Sequence, residues 1–290
     1  MSAAAPWLVI DSGRASLAAP GAAPRLLWTG ALDAAPAAEA AGIVHRFIAA
    51  PPGVGEVATA VDRQALRVAG RFEPRDTELR LAALDRWPAR PRHLVFDTPF
   101  FDALPPAARH YALPPELAAA HGLYRRGRHG PVHRRAAGAG RCVSVVLAEC
   151  ISVAALRDGA PVEVSCGVSG LEGVPGAHSV GDIDPAAVLY LVENLGLGID
   201  GAARVLGSEG GLDGLDDEGL ARSLLIHRLR RCIGSYAAVL GGLDDLVFSG
   251  ADDALPRQVA AGLQHLGAAA HTRTTAWTPL TAAMASASNG

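Results

Sequence analysis

Residues 95–133 read VFDTPFFDALPPAARHYALPPELAAAHGLYRRGRHGPVH. The stretch opens on Leu94-Val95-Phe96, a short apolar run stopped by Asp97. That pattern is a buried strand that delivers a carboxylate at its tip. The stretch ends in a basic cluster: Arg125, Arg126, Arg128, Arg134 and Arg135, with His129 and His133 inside it. Such a cluster is more often a solvated or anion-binding face than a nucleic-acid site. The formal net charge of -3 adds no general attraction to nucleic acid or to anionic membranes. All 26 basic residues are arginine. Any phosphate clamp here must therefore use guanidinium groups, backbone amides or a metal.

Working outward towards the N-terminus, Trp7 to Ile10 reads as a strand, Asp11-Ser12-Gly13-Arg14 as a sharp turn, and Ala15 to Leu17 as the returning strand. A hairpin with Asp11, Gly13 and Ser16 at its tip can turn amides and a hydroxyl towards a phosphate. The Ala/Pro-rich stretch up to about Ala41 reads as an irregular connection with at most one short helix. Gly42 to Ala49 follows as a strand carrying His45 and Arg46, and Asp76 to Trp87 as a helix broken by Pro88.

Towards the C-terminus the opening plan repeats. Cys142 to Val146 is a strand, Ser152 to Leu156 returns, and Asp158-Gly159 turns the chain into a third strand at Val162 to Ser165. Asp184 caps a helix with Pro185 at its first position. A longer helix spans Leu220 to Leu240, with the apolar stripe Leu225, Leu229, Cys232, Tyr236 and Leu240 at core spacing. Leu246 to Phe248 is a further strand and Gln258 to Leu266 a further helix. The tail Ala285 to Gly290 reads as disordered. A β-turn-β unit opening each half suggests two related α/β lobes.

Composition bounds the function. At 290 residues and 50% hydrophobic, the chain is long enough for two modest domains. Cys142, Cys150, Cys166 and Cys232 are widely spaced, which argues against a zinc knuckle or a disulfide framework. Met1 to Pro6 lacks a basic leader, and the apolar run Cys142 to Leu156 is interrupted by Glu149 and too short to span a bilayer. The expected location is the cytoplasm, with no membrane and no nucleic acid as partner.

The motifs in this order resemble the acetate kinase family. Phe96-Asp97-Thr98, Tyr111-Ala112-Leu113-Pro114 and Gly122-Leu123-Tyr124-Arg125-Arg126-Gly127-Arg128-His129-Gly130 match the family's F-D-T-x-F, Y-A-[LI]-P and G-[IL]-R-R-Y-G-x-H-G. Leu171-Glu172-Gly173 and Gly181-Asp182-Ile183-Asp184-Pro185 resemble P-L-E-G and S-G-D-I-D-P. Ile233-Gly234-Ser235-Tyr236, Gly242-Leu243-Asp244 and Val247-Phe248 resemble I-G-A-Y, G-L-D and V-F-T. The resemblance covers most of Val95 to Phe248, with a thinner match at Val9 to Leu17 and at His45-Arg46.

The resemblance implies a two-lobed actin-like, sugar-kinase-type ATPase fold with a duplicated β-meander, a reduced N-terminal lobe and homodimer assembly. The expected division is 1–97 for the N-terminal lobe, with 275–290 a candidate to rejoin it, and 98–274 for the C-terminal lobe. The implied chemistry is transfer of the γ-phosphoryl group of ATP, with Mg²⁺, to a short carboxylate. By position, Arg46 is the arginine that binds substrate or phosphoryl oxygens. Asp97 is the carboxylate that orients the acceptor or the metal, and His129 the histidine that stabilises the transferring group. Gly250 marks the adenosine-side loop.

Several family positions are lost. Ser179 stands at the second arginine of G-T-R-x-G, with only His178 beside it to compensate. The phosphate loop H-L-G-N-G-S-S has become Val146-Leu147-Ala148-Glu149-Cys150-Ile151-Ser152, losing both glycines and placing Glu149 where polyphosphate would lie. The adenosine loop is Gly250-Ala251-Asp252-Asp253. In the opening hairpin an asparagine has become Asp11, a serine Arg14 and a lysine Ala18. Leu280 stands at the metal-binding glutamate. Arg128 and Gly170 alter the acceptor pocket towards a larger or more acidic anion. The sequence therefore supports a family member with lost or vestigial phosphoryl transfer. Its alternatives are a carboxylate kinase with a rebuilt site, in which Arg14 and Arg128 take over lost roles, and a non-catalytic regulatory or structural subunit. A small anion or carboxylate is the expected ligand class.

Overall fold

A computed structural model describes residues 5–11, 14–19, 25–250, 254–266 and 272–289. In chain order the first elements are β1 (Trp7–Asp11), β2 (Arg14–Ala19), β3 (Arg25–Ala31), β4 (Gly42–Phe47), β5 (Val57–Ala58), α1 (Arg63–Ala69), α2 (Pro74–Leu84) and β6 (Arg92–Phe96). Then come α3 (Pro106–Arg109), α4 (Pro115–His121), α5 (Gly130–Ala136), β7 (Arg141–Val146), β8 (Ser152–Arg157) and β9 (Ala160–Val164). The remainder is α6 (Pro185–Glu193), α7 (Gly198–Arg204), α8 (Glu218–Leu240), β10 (Asp245–Ser249), α9 (Ala254–Ala261), β11 (Thr272–Thr275) and α10 (Pro279–Asn289). The chain divides into two compact units. One is Met1–Asp102 with Arg128–Arg135 and Trp277–Gly290; the other is Ala103–Gly127 with Ala136–Ala276.

Each unit carries one sheet, and the two sheets share a plan. In the first, the order is β3-β2-β1-β4-β6-β5; in the second it is β9-β8-β7-β10-β11. Each begins as an antiparallel meander of three strands. Each then adds two strands parallel to the first strand, beyond its other edge. The hairpin turn at Asp158-Gly159 lies where the sequence places it, with both residues at positive φ.

In the first unit, strand alternation divides the core between the two sheet faces. Leu8, Ile10 and Ile43 lie in one cluster with Ala83 of α2, and Val9, Val44 and Val95 lie in another with Ala283, Met284 and Ala287 of α10. In the second unit, Val143, Val145, Val153, Leu246 and Phe248 pack against Leu225, Leu229, Ile233, Tyr236 and Leu240 of α8 and Leu255 and Val259 of α9. The stripe read from the sequence is thus core, with Ile233 buried where the reading placed Cys232.

Four local expectations are corrected. The stretch expected to be irregular contains β3, pinned by a hydrogen bond from Ser16 Oγ to Thr29 Oγ1 at 2.8 Å. The helix expected over Asp76–Trp87 starts two residues earlier, with Pro74 at its first position, and ends at Leu84. The tail expected to be disordered belongs to α10, and Ala285 and Ala287 are buried; Gly290 lies outside the described residues. Thr278 and Thr281 explain why α10 starts where it does: each backbone N–H donates to the other's hydroxyl, at 2.8 and 3.2 Å, as a reciprocal cap. The alanines of this segment are strong helix formers whose small side chains allow close packing. The helix expected over Gln258–Leu266 is α9 followed by a short 3₁₀ turn at Gln264–Leu266.

Candidate active site

Strands β1, β4 and β6 are parallel neighbours, so their C-terminal ends share one edge of the sheet. Ligand sites of open α/β sheets collect at such an edge. Residues two apart point to the same face. Val9 and Asp11, Val44 and Arg46, and Val95 and Asp97 therefore form three parallel columns: apolar below, charged above.

The charged row is closed on itself. Arg46 donates from Nε to Asp97 Oδ1 at 3.1 Å, from Nη2 to Asp97 Oδ2, and from Nη1 to Asp11 Oδ2 at 2.6 Å. Arg80 of α2 takes the other oxygen of Asp11 at 2.7 Å and holds Asp76 by a fork of 2.6 and 3.1 Å. It also donates to the backbone carbonyl of Arg46. Five side chains thus alternate in sign: Asp97, Arg46, Asp11, Arg80, Asp76. Arg46, Arg80 and Asp97 are buried, while Asp11 keeps 22% exposure. Burial works to raise the carboxyl of Asp11, but the charges and hydrogen bonds of Arg46 and Arg80 outweigh it and hold it well below the usual range. Burial also opposes the charge of Arg46, and Asp11 and Asp97 overcome it, so its guanidinium is held more firmly protonated than usual.

The motif stretch brings His129 to the same unit. Its backbone sits at φ 58°, the left-handed region, and its carbonyl accepts from Val132 N at 2.9 Å and His133 N at 3.1 Å to start α5. Gly130 is there for space: a Cβ would fall inside contact with the Asp97 carbonyl oxygen and 2.7 Å from Phe100 Cβ. The start of α5 is therefore pressed onto the end of β6. Burial, reinforced by the charges of Arg46 and Arg128, pushes the His129 imidazole far below its ordinary pKa. A neutral His129 offers a hydrogen bond, not a charge, to any group beside it. His133 is likewise buried, at about 3, and meets Phe101 edge-on with ring centroids 5.8 Å apart. Arg128 is paired with Glu73 at 3.0 Å.

The other residues singled out from the sequence are placed as follows. Ser16 is buried with its hydroxyl on Thr29, and Arg14 is exposed. Gly13 lies outside the described residues. In the second unit Glu149 is exposed at the β7–β8 turn, and its carbonyl accepts from Ala177 N at 3.2 Å. Gly176 packs so closely that a Cβ would lie 2.6 Å from that oxygen. Ser179 Oγ accepts from Gly176 N at 3.2 Å, and exposed His178 stands 3.9 Å from Asp213. Gly170 is buried, with its carbonyl accepting from Cys150 Sγ at 3.6 Å. Gly250 has φ 76°, and residues 251–253 lie outside the described residues.

These residues do not fit a metal-bound polyphosphate. Mg²⁺ uses one or two carboxylates together with phosphate oxygens. Both oxygens of Asp97 are buried against Arg46, and Leu280 packs against the apolar cluster of Val9, Val44 and Val95. Among the described residues no group of three or more His, Cys, Asp or Glu side chains is placed to hold a metal.

The basic cluster is dispersed between the two units. Arg125 binds Glu163 and Glu172, Arg134 binds Glu56 at 2.9 Å, and Arg135 lies over the Trp277 ring. The sequence reading missed Arg80, whose signal was its i,i+4 spacing from Asp76 on a predicted helix.

Comparison with known proteins bears on the family and the fold. The model of the Acetokinase family matches residues 56–276. An acetate kinase of Leifsonia xyli is 36% identical over 64% of this chain and 54% of its own length. One from Streptomyces coelicolor is 34% identical over 80% of this chain and 66% of its own length. The chain spans about half the length of the first curated relatives it matches. A propionate kinase structure from Francisella tularensis superposes with a TM-score of 0.81 at 18% identity over 97% of both chains. The acetate kinase structure of Porphyromonas gingivalis does so with 0.73 at 21% identity, over 91% of this chain and 88% of its own. At those identities the structures speak for the fold, an actin-like one, while the sequence matches speak for descent. A family model matching most of its length, with curated relatives about a third identical, places this chain in the acetate kinase family.

Proposed function

We propose that this protein keeps the acetate kinase fold and has lost phosphoryl transfer, or retains only a trace of it, serving instead as a binding or regulatory protein. One observation carries the reading: Arg46 spends all three guanidinium nitrogens on Asp97 and Asp11. Stabilising a transferring phosphoryl group needs positive charge free to meet its oxygens. Here Asp11 and Asp97 already neutralise that charge. The alternating ladder makes the arrangement self-sufficient, so an incoming anion must break ion pairs to enter. Ser179 and Leu280 at the second arginine and metal-glutamate positions support the same reading.

The chain is expected to act as a homodimer in the cytoplasm. The apolar helix α6 has no buried residue, and Leu189 and Tyr190 are more than half exposed. A second copy is the occupant that family membership favours. The four cysteines are free, as a reducing compartment keeps them. No helix among the described residues is long and apolar enough to cross a membrane.

The direct test traps acyl phosphates with hydroxylamine, after incubation with Mg-ATP and acetate, propionate, butyrate or a dicarboxylate. The expected result is no product above a no-enzyme blank. Turnover that falls on Arg46→Ala would instead establish a carboxylate kinase with a rebuilt site.

A further inference from the structure

We propose that the second unit carries a separate site for a small oxyanion, centred on Arg228. A pocket of about 200 Å³ lies between the face of α8 that bears Arg228 and Arg231, the Arg125–Glu163 pair, and the segment bearing Glu172 and Asp182. Arg228 and Arg231 are three apart on the helix and share its surface.

The acidic groups of the wall are already matched. Asp182 accepts from Arg231 at 2.7 Å and from Gly173 N at 2.8 Å. Glu172 accepts from Arg125 at 3.1 Å and from the Tyr111 hydroxyl at 2.5 Å. Glu163 accepts from Arg125 and from Val164 N, both at 2.9 Å. Two donors remain. Arg228 makes no hydrogen bond or ion pair among the described residues, and Arg125 Nε is buried with no acceptor. The wall is short of acceptors, and its missing complement is an anion.

Size and shape narrow the class. At roughly 30 Å³ per water, the pocket holds about seven waters, the scale of a small carboxylate or inorganic phosphate and too little for a nucleotide. A guanidinium meets either oxyanion in a forked pair, which a spherical halide cannot form. The site owes nothing to the Arg46 ladder, which belongs to the other unit, so the proposal stands or falls apart from the loss of phosphoryl transfer.

The test is calorimetric titration of the full chain with sodium phosphate and with sodium acetate, each against sodium chloride at equal ionic strength. Parallel titrations use Arg228→Ala, Arg46→Ala and, as a surface control, Arg204→Ala. One-to-one saturable binding of phosphate or acetate is expected, weakened about tenfold or more in Arg228→Ala and unchanged in the control. Whichever anion binds identifies the source. A thermal midpoint for Arg228→Ala equal to the parent's shows that the loss is not unfolding. Absent saturation with both anions, binding unaffected by Arg228→Ala, or binding abolished only by Arg46→Ala would each overturn the proposal.

Discussion

At the residue scale the molecule turns on Asp11. At the end of β1 its carboxylate is the central link of a ladder between Arg46 and Arg80. Removing that charge deprives each of two buried guanidiniums of one carboxylate partner. Asp11→Asn is expected to lower stability by about 1–2 kcal/mol in urea denaturation, less than for a fully buried pair because Asp11 reaches solvent. The same variant should take up a further oxyanion beside Arg46, additional to any bound through Arg228. A variant as stable as the parent would mean the ladder contributes nothing. Histidines set the acid limit. His45 and His133 are buried neutral, at about 4 and about 3, mainly through burial. Their unfolded values lie near 6.5, so the unfolded chain takes up protons first as pH falls. Their stabilising contribution is complete above about pH 6.5 and is lost downward through the window to the folded values, by at most about 1.4 kcal/mol per pH unit per histidine. Urea midpoints at pH 7.5 and 5 check this: the difference should shrink in His133→Phe, and no difference in the parent would refute it.

At the scale of elements, Gly130 fixes how α5 meets β6. Gly130→Ala forces a methyl into the Asp97 carbonyl and Phe100, and should cost about 1–3 kcal/mol by thermal or urea denaturation. A neutral result would show that α5 shifts freely. Elements also divide what the sequence discloses from what it conceals. The strand ending at Asp97, the β7–β9 meander and the α8 core stripe were legible because their signals are local: an apolar run, a turn dipeptide, a helical period. β3 was hidden by Ala/Pro-rich flanks, and most of its side chains are not buried, so alternation is weak. α10 was hidden because an alanine run carries no periodic contrast; its burial comes from Val9, Val44 and Val95, far away in sequence. Arg46, Asp97 and His129 were singled out through motif order. Arg80 was not, because its role depends on where α2 docks, which no local pattern encodes.

At the scale of the whole molecule, the two sheets share one order of meander and parallel strands, and in the first an apolar column lies beneath the charged row. The exposed face of α6 makes assembly testable. Leu189→Arg should convert a dimer to monomers in sedimentation, with an unchanged far-UV spectrum. A parent that sediments as a monomer would remove the proposed homodimer. The most direct measurement of the central claim is calorimetric titration with Mg-ATP, made on the parent and on Glu149→Gly. The expected result is no saturable heat in the parent, with any recovered affinity confined to the variant. Saturable Mg-ATP binding by the parent would contradict the loss of phosphoryl transfer and restore the family's chemistry to this chain.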